Sequence, residues 1–156
     1  MPNIIVKIPT GVLDDNSRAA LMRGIHAAAA QAECIPDEPA KRFLCWVLVE
    51  EVAAASWTCG ATQASAGVVP VMVLLHVPAG VLAQANRLQY MAGIHRAVAA
   101  ALAGQPRRCA TSCVFNEVAD GHWGVNGEMW RLPRFAREAG YTHLEGLVDP
   151  VVSPLY

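Results

Sequence analysis

The sequence predicts an α+β fold in which two tandem β-α-β units form one four-stranded sheet with two helices on one face. Three observations predict it. The stretch Pro9 to His26 returns as Pro78 to His95, a spacing of 69 residues, with identity at Pro9/Pro78, Gly11/Gly80, Val12/Val81, Leu13/Leu82, Arg18/Arg87, Met22/Met91, Gly24/Gly93, Ile25/Ile94 and His26/His95. A second block, Glu51-Val52-Ala53 with Trp57, returns as Glu117-Val118-Ala119 with Trp123 at a spacing of 66. Around both blocks the residue types run strand, helix, strand. Two matched blocks in the same order mark a duplicated unit, which sets the architecture before any residue is given a role. A parallel strand pair joined by a helix crosses over right-handed, so two such units place both helices on the same face.

Each element follows from its residues. Asn3 to Ile8 is β-branched except at Asn3 and Lys7, which predicts a strand, and Pro9, Thr10 and Gly11 end it. Asp14, Asp15, Asn16 and Ser17 offer N-caps and put acids at the positive end of a helix dipole. The helix runs to about Glu33 with Leu21, Ile25 and Ala28 on one face. Pro36 and Pro39 mark a loop, and Phe43 to Val52 is an apolar second strand of the kind covered on both faces. Ser56 to Gly67, rich in Gly, Ser, Thr and Ala, joins the halves. The second copy repeats the plan: a strand from Val68 to His76, a helix from Leu82 to Leu102 closed by Gly104 and Pro106, and a strand from Arg108 to Val118. Asp120 to Gly127 is turn-rich and suits a short hairpin.

Length and composition bound the function. The 156 residues suit a single domain, with repeat units 2–67 and 68–128 sharing a core and an extension over 129–156 that packs on a neighbouring surface. Hydrophobic residues make up 54% against 16% charged, which predicts apolar surface buried between subunits. A sheet with helices on one face leaves the other face open, and its apolar strands there predict a homotrimer with the sheets turned inward. The net charge of -1 excludes a basic field for nucleic acid or a polybasic membrane patch. No apolar run reaches the ~18 residues of a membrane span. Five cysteines with no leader ahead of them predict a reducing, cytoplasmic setting with structural thiols. Cys109 and Cys113 lack a second Cys or His pair nearby, so neither a metal site nor a cofactor is expected.

The pattern resembles the tautomerase superfamily, including macrophage migration inhibitory factor-like folds. Proline is residue two at the start of a strand, the loop glycines Gly11 and Gly80 follow at the right distance, and Asn116 to Glu128 is similar to the closing segment of 4-oxalocrotonate tautomerases. The duplicated length is similar to that of fused tautomerases and of cis-3-chloroacrylic acid dehalogenase. The resemblance covers about residues 2–128 and implies a trimer of tandem units, a small carboxylate substrate and catalysis by an amino-terminal proline.

That chemistry has a physical basis. Removal of Met1 would leave Pro2 a free secondary amine with a reference pKa near ~8, which burial or a nearby cation lowers. A base poised near the working pH is what proton transfer needs. The leading expectation is therefore a tautomerase or isomerase of small unsaturated keto or enol acids, with Pro2 as base. The alternatives are hydration, dehalogenation or decarboxylation of small three-carbon acids with Pro2 as general acid, and an inactive oligomeric relative. The second copy has only an amide near Pro70 and Val71, so one proline serves each chain.

The arginines that hold substrate in the resembling enzymes are replaced here by Val12 and Val81 after the loop glycines, and by Trp46 and Ser112 before the motif glutamates. The candidate substrate-binding residues are then Arg42 and Arg108, which match at the spacing of 66, Trp57 and Trp123, which stand where the family lines its pocket with an aromatic, and His76, His122 and Asn126. His26 and His95 suit packing, and Glu51 and Glu117 a structural role.

Overall fold

The computed structural model describes residues 2–63 and 67–148. β1 (Asn3–Pro9) leads through α1 (Asp15–Ala32) and the single turn α2 (Pro39–Arg42) to β2 (Trp46–Val52). Two short strands follow, β3 (Thr58–Cys59) and β4 (Thr62–Gln63), then β5 (Val68–Pro78), α3 (Gln84–Ala101) and β6 (Arg108–Val118). β7 (Trp123–Val125), β8 (Glu128–Trp130) and α4 (Leu132–Ala139) complete the labelled elements, ahead of a 3-10 segment at Thr142–Leu147.

β1, β2, β5 and β6 form one sheet in the order β2-β1-β5-β6, parallel within each unit and antiparallel where β1 meets β5. The sheet is mixed α+β, as the duplicated pattern predicts. The repeat spacings reappear in the register, because Asn3 pairs with Trp46 just as Met72 pairs with Ser112. β5 starts four residues ahead of Met72 whereas β1 starts at Asn3, so the counterpart of Pro2, Val71, lies inside a continuous strand.

One sheet face packs on both helices. Ile4, Val6 and Ile8 of β1 and Val69, Val71, Val73, Leu75 and Val77 of β5 are buried beneath Leu21, Ile25 and Ala29 of α1 and Tyr90, Ile94 and Val98 of α3. The duplicated glycines explain how the helices meet. A Cβ on Gly24 would stand 2.7 Å from the Cβ of Ala97, and one on Gly93 would stand 2.8 Å from that of Ala28. Only a missing side chain permits that approach, and the pseudo-symmetry demands it twice. The duplicated charges are paired the same way: Arg18 with Glu51, and Arg87 with Glu117 at 2.6 Å. Gly11 and Gly80 both adopt positive φ, at 79° and 89°, where glycine carries no steric penalty. Asp14 caps α1 by accepting from the Ser17 amide at 2.7 Å, whereas α3 begins after Ala83 without a side-chain cap.

Two sequence expectations need adjustment. The second strand begins at Trp46 rather than Phe43, because Pro39 opens α2 and the turn is closed by the Leu44 and Cys45 amides donating to Lys41 and Arg42. The joining stretch is more ordered than expected, with a 3-10 turn at Ala54–Ser56 and the β3–β4 pair; residues 64–66 lie outside the described part. The extension folds back on its own chain. Lys41 Nζ donates to the Arg137 carbonyl at 2.7 Å, and Gly140, at φ 66°, ends α4 against Pro36. Residues 149–156 of that extension are outside the described part.

The other sheet face is open. Trp46, Leu48, Met72 and Val114 are exposed on it, Trp46 at 56% and Leu48 at 54%.

Candidate active site

Pro2 is buried at the very start of β1, and its carbonyl accepts from the Trp46 amide at 3.0 Å. One residue ahead of the pairs Asn3–Trp46 and Asn3–His76, it stands beside Cys45, which immediately precedes β2, and Val77 on β5. Pleat alternation puts Pro2 on the helix-covered face with Ile4. The next residue, Asn3, points to the open face. There Trp46, Asn3, His76 and Asn116 form one row across all four strands.

Beside this row lies a cleft of about 220 Å³ lined by Asn3, His76, Val118, His122, Trp123 and Gly124. Asn116 donates from Nδ2 to His76 Nδ1 at 2.9 Å, which leaves Nε2 as the donor of a neutral His76 ring. Asn3 Oδ1 is buried without a hydrogen-bond partner, an acceptor available to a bound molecule. Sequence reading missed Asn3, although its polar character at the head of an otherwise apolar strand is the signal that could have flagged it.

Trp123 is held by the extension. Its ring packs edge-on against Phe135 at 5.5 Å, Trp130 packs on the same Phe135 at 5.2 Å, and Arg134 lies over Trp130 at 4.8 Å. Asp120 ties the hairpin to α4 by accepting from the Leu132 amide at 2.7 Å and from Arg131 at 3.0 Å. The Leu132 amide, with Arg131 assisting, holds the Asp120 carboxyl below its ordinary value.

The remaining candidates are distributed unevenly. His76, His122 and Trp123 meet at the cleft. Arg42 lies in α2, where strand alternation does not apply; it donates through Nε to the Pro36 carbonyl at 2.8 Å and stands 3.6 Å from Asp37. Asn126 sits at the tip of the β7–β8 hairpin with φ 53° and is exposed, away from the cleft lining. Trp57 follows β2 at the far end of the sheet, and Arg108 opens β6 opposite Val68. Arg108 is eight residues up its strand from Asn116, about 26 Å at ~3.3 Å per residue. Trp57 and Arg108 therefore belong to the opposite end of the protomer from Pro2. The reason is the antiparallel β1–β5 pairing, which brings the end of the second copy to the start of the first.

Behind Pro2, on the helix side, Glu33 is wholly buried. It is the C-cap residue of α1, and its carboxylate accepts from Tyr141 Oη at 2.9 Å and Tyr90 Oη at 3.3 Å. Burial pushes its carboxyl up from the ordinary value, against the opposing effect of the Tyr90 hydrogen bond. Burial also pushes the neighbouring Cys45 thiol up to about 12. Among the described residues no three His, Cys, Asp or Glu side chains are grouped to hold a metal ion, and no helix is long and apolar enough to cross a membrane.

No family model and no curated protein matches the sequence. Solved structures do. A fused 4-OT, described as a wild-type asymmetric trimer, superposes with a TM-score of 0.68 at 18% identity, over 81% of this chain and 94% of that one. N1, a member of the cis-3-chloroacrylic acid dehalogenase (cis-CaaD) family, superposes with a TM-score of 0.67 at 19% identity, over 95% and 99%. Macrophage migration inhibitory factor of Toxoplasma gondii does so with a TM-score of 0.62 at 15% identity, over 82% and 99%. The tandem β-α-β chain has the fold of the tautomerase superfamily.

Proposed function

We propose that the protein is an isomerase that moves a proton on a small unsaturated keto or enol acid, with the amine of a processed Pro2 as general base. The observation that carries this reading is the placement of Pro2: buried immediately before β1, whose first residue, Asn3, lines the polar cleft. His76 Nε2, the His122 ring and the Trp123 indole N–H offer donors to a carboxylate or enolate oxygen. Arg42, Arg87, Arg131 and Arg134 are engaged with Pro36 and Asp37, with Glu117, with Asp120 and with Glu128. The substrate is therefore met by the ring donors of His76, His122 and Trp123 from its own protomer.

The open apolar face supports a homotrimer, the assembly named for the fused 4-OT structures that share the fold. In such an assembly Trp57 and Arg108 reach a Pro2 cleft only from a neighbouring protomer. The free cysteines fit a reducing cytoplasm. A second reading keeps the proline but makes it the general acid of hydration, dehalogenation or decarboxylation of small three-carbon acids; N1, whose fold this chain shares, is a member of the cis-3-chloroacrylic acid dehalogenase family.

The test is turnover of phenylenolpyruvate and of 3-haloacrylates by protein whose amino terminus has been defined by mass spectrometry, before and after blocking the amine. Ketonisation that disappears on blocking supports the isomerase. Haloacrylate turnover alone supports the acid reading, and turnover of neither leaves an inactive relative.

A further inference from the structure

We propose that Asn3 is the specificity residue of the cleft: its side-chain oxygen accepts a hydrogen bond from a hydroxyl of the bound acid, so that a hydroxyl-bearing acid is held in preference to one that presents only acceptors. The role rests on the reading of the cleft as a substrate site and names the functional group recognised there. Ile4, Ile5 and Val6, all β-branched, follow Asn3 in the strand, whereas asparagine is a poor strand former. Its Oδ1 is buried and finds no hydrogen-bond partner among the described residues. Buried polar atoms left unpaired are rare, because the water they lose is not replaced. The other amide of the row, Asn116 Nδ2, is already committed to His76 Nδ1 at 2.9 Å.

The duplication supplies an internal control. At the spacing of 69, Asn3 corresponds to Met72 and His76 to Lys7; at the spacing of 66, Trp46 corresponds to Ser112 and Asn116 to Glu50. The row Trp46, Asn3, His76 and Asn116 therefore has a twin, Ser112, Met72, Lys7 and Glu50, farther along the same strands. In the twin, Lys7 and Glu50 satisfy each other as an ion pair, and the place of Asn3 is taken by methionine. Packing at this position is thus met by an apolar side chain. The amide stands at the end of the sheet that carries the cleft.

The cleft of about 220 Å³ is lined by Asn3 with His76, His122 and Trp123, and Asn3 also borders an apolar pocket with Ile5, Trp46 and Leu48. His76 Nε2, the His122 ring and the Trp123 indole offer donors, which suit the carboxylate and any carbonyl of a bound acid. Those oxygens have no hydrogen to return, so they leave Asn3 Oδ1 unpaired. A hydroxyl has one. A modest rotation about the last torsion of Asn3, which is broad for asparagine, turns Oδ1 toward the cleft wall. A site built to hydrogen-bond a hydroxyl rejects the analogue lacking it more sharply than an apolar wall does, because its own polar group is then left unmatched. In the proposed reaction the enol form fills Oδ1 and the keto form does not.

The experiment is isothermal titration calorimetry of two stable acids that differ by one hydroxyl, mandelate and phenylacetate, against wild type and Asn3→Met. Methionine is the residue that the twin position already accommodates. Wild type should bind one enantiomer of mandelate about tenfold tighter than phenylacetate, the worth of one hydrogen bond, and Asn3→Met should bring the two acids to equal affinity. Phenylacetate should bind the variant no worse than wild type, and the urea midpoint should not fall, since an unpaired acceptor has been removed. A mandelate preference that survives in Asn3→Met, no preference in wild type, or binding of neither acid overturns the assignment. A variant that unfolds or loses stability gives the amide to the fold and overturns it as well. The measurement needs no turnover, so these failures leave proline chemistry standing, and loss of the proline reading on amine blocking leaves the mandelate preference to be judged by itself.

Discussion

Gly24→Ala tests the packing on which the whole pseudo-symmetric sheet rests. The added Cβ would lie 2.7 Å from the Cβ of Ala97 and 3.4 Å from its Cα, against a favourable carbon separation of about 3.5–4.0 Å. The obstacle is backbone and a side chain with no rotamer to change, so α1 and α3 must move apart by about 1 Å. Overpacking of this kind costs about 1–3 kcal/mol, and better helix propensity returns about 1 kcal/mol, for a net loss of about 1 kcal/mol. Ala97→Gly alone should also lose about 1 kcal/mol through propensity. Combined, the two changes remove the clash and exchange the propensities, so the double variant should return to near wild-type stability. The coupling of about 2 kcal/mol is read from urea midpoints at one protein concentration, with the slope unchanged. Additive losses, or a Gly24→Ala variant more stable than wild type, would refute the close crossing. Gly93 and Ala28 form the equivalent pair, at 2.8 Å, and should behave alike.

In protein processed to begin at Pro2, as proposed, adding one residue ahead of it would make its nitrogen an amide and should reduce turnover by at least ~10²-fold, whereas Pro2→Ala, with a terminal amine, should retain part of the rate in steady-state assays. Leu48→Lys, on the exposed sheet face, should shift light-scattering mass from trimer to monomer; an unchanged trimer would remove that face from the interface. Thiol labelling at pH 8 should modify exposed Cys59 first and spare Cys45 and Cys113, whose thiols burial raises to about 12 and about 11. Glu33 has a folded pKa raised above its ordinary 4.5, so the stability linked to it is complete below that value and declines as pH rises through the folded one. Unfolding midpoints of wild type should accordingly fall relative to Glu33→Gln from about pH 4.5 upward. A constant difference between the two across that range would contradict the raised value.

Strand and helix identities were legible because they depend on local pattern. Ile4, Val6 and Ile8 fall in the strand that their β-branched run predicts, and Leu21, Ile25 and Ala28 share the buried side of α1. The boundary at Trp46 was not legible: ten residues of nearly continuous apolar character conceal where Pro39 and α2 hand over to the strand. The pairing of Arg18 with Glu51 and of Arg87 with Glu117 was encoded as two separate identities whose connection needs the folded chain.

What the sequence determined by itself was the duplication and the element order, because each is a property of the chain's covalent order. Which candidates share a cleft was decided only in three dimensions. Antiparallel pairing of β1 with β5 brings Trp123, His122 and His76 to the Asn3 end of β1 and carries Trp57 and Arg108 to the opposite end. Glu33 gave no signal in the sequence, since an acid at a helix end reads as solvated surface. Its meaning comes from burial between α1, α3 and the extension, where Tyr90 and Tyr141, distant in sequence, converge on one carboxylate. Local pattern is short-ranged physics, and a site assembled from four segments depends on contacts that only chain topology creates.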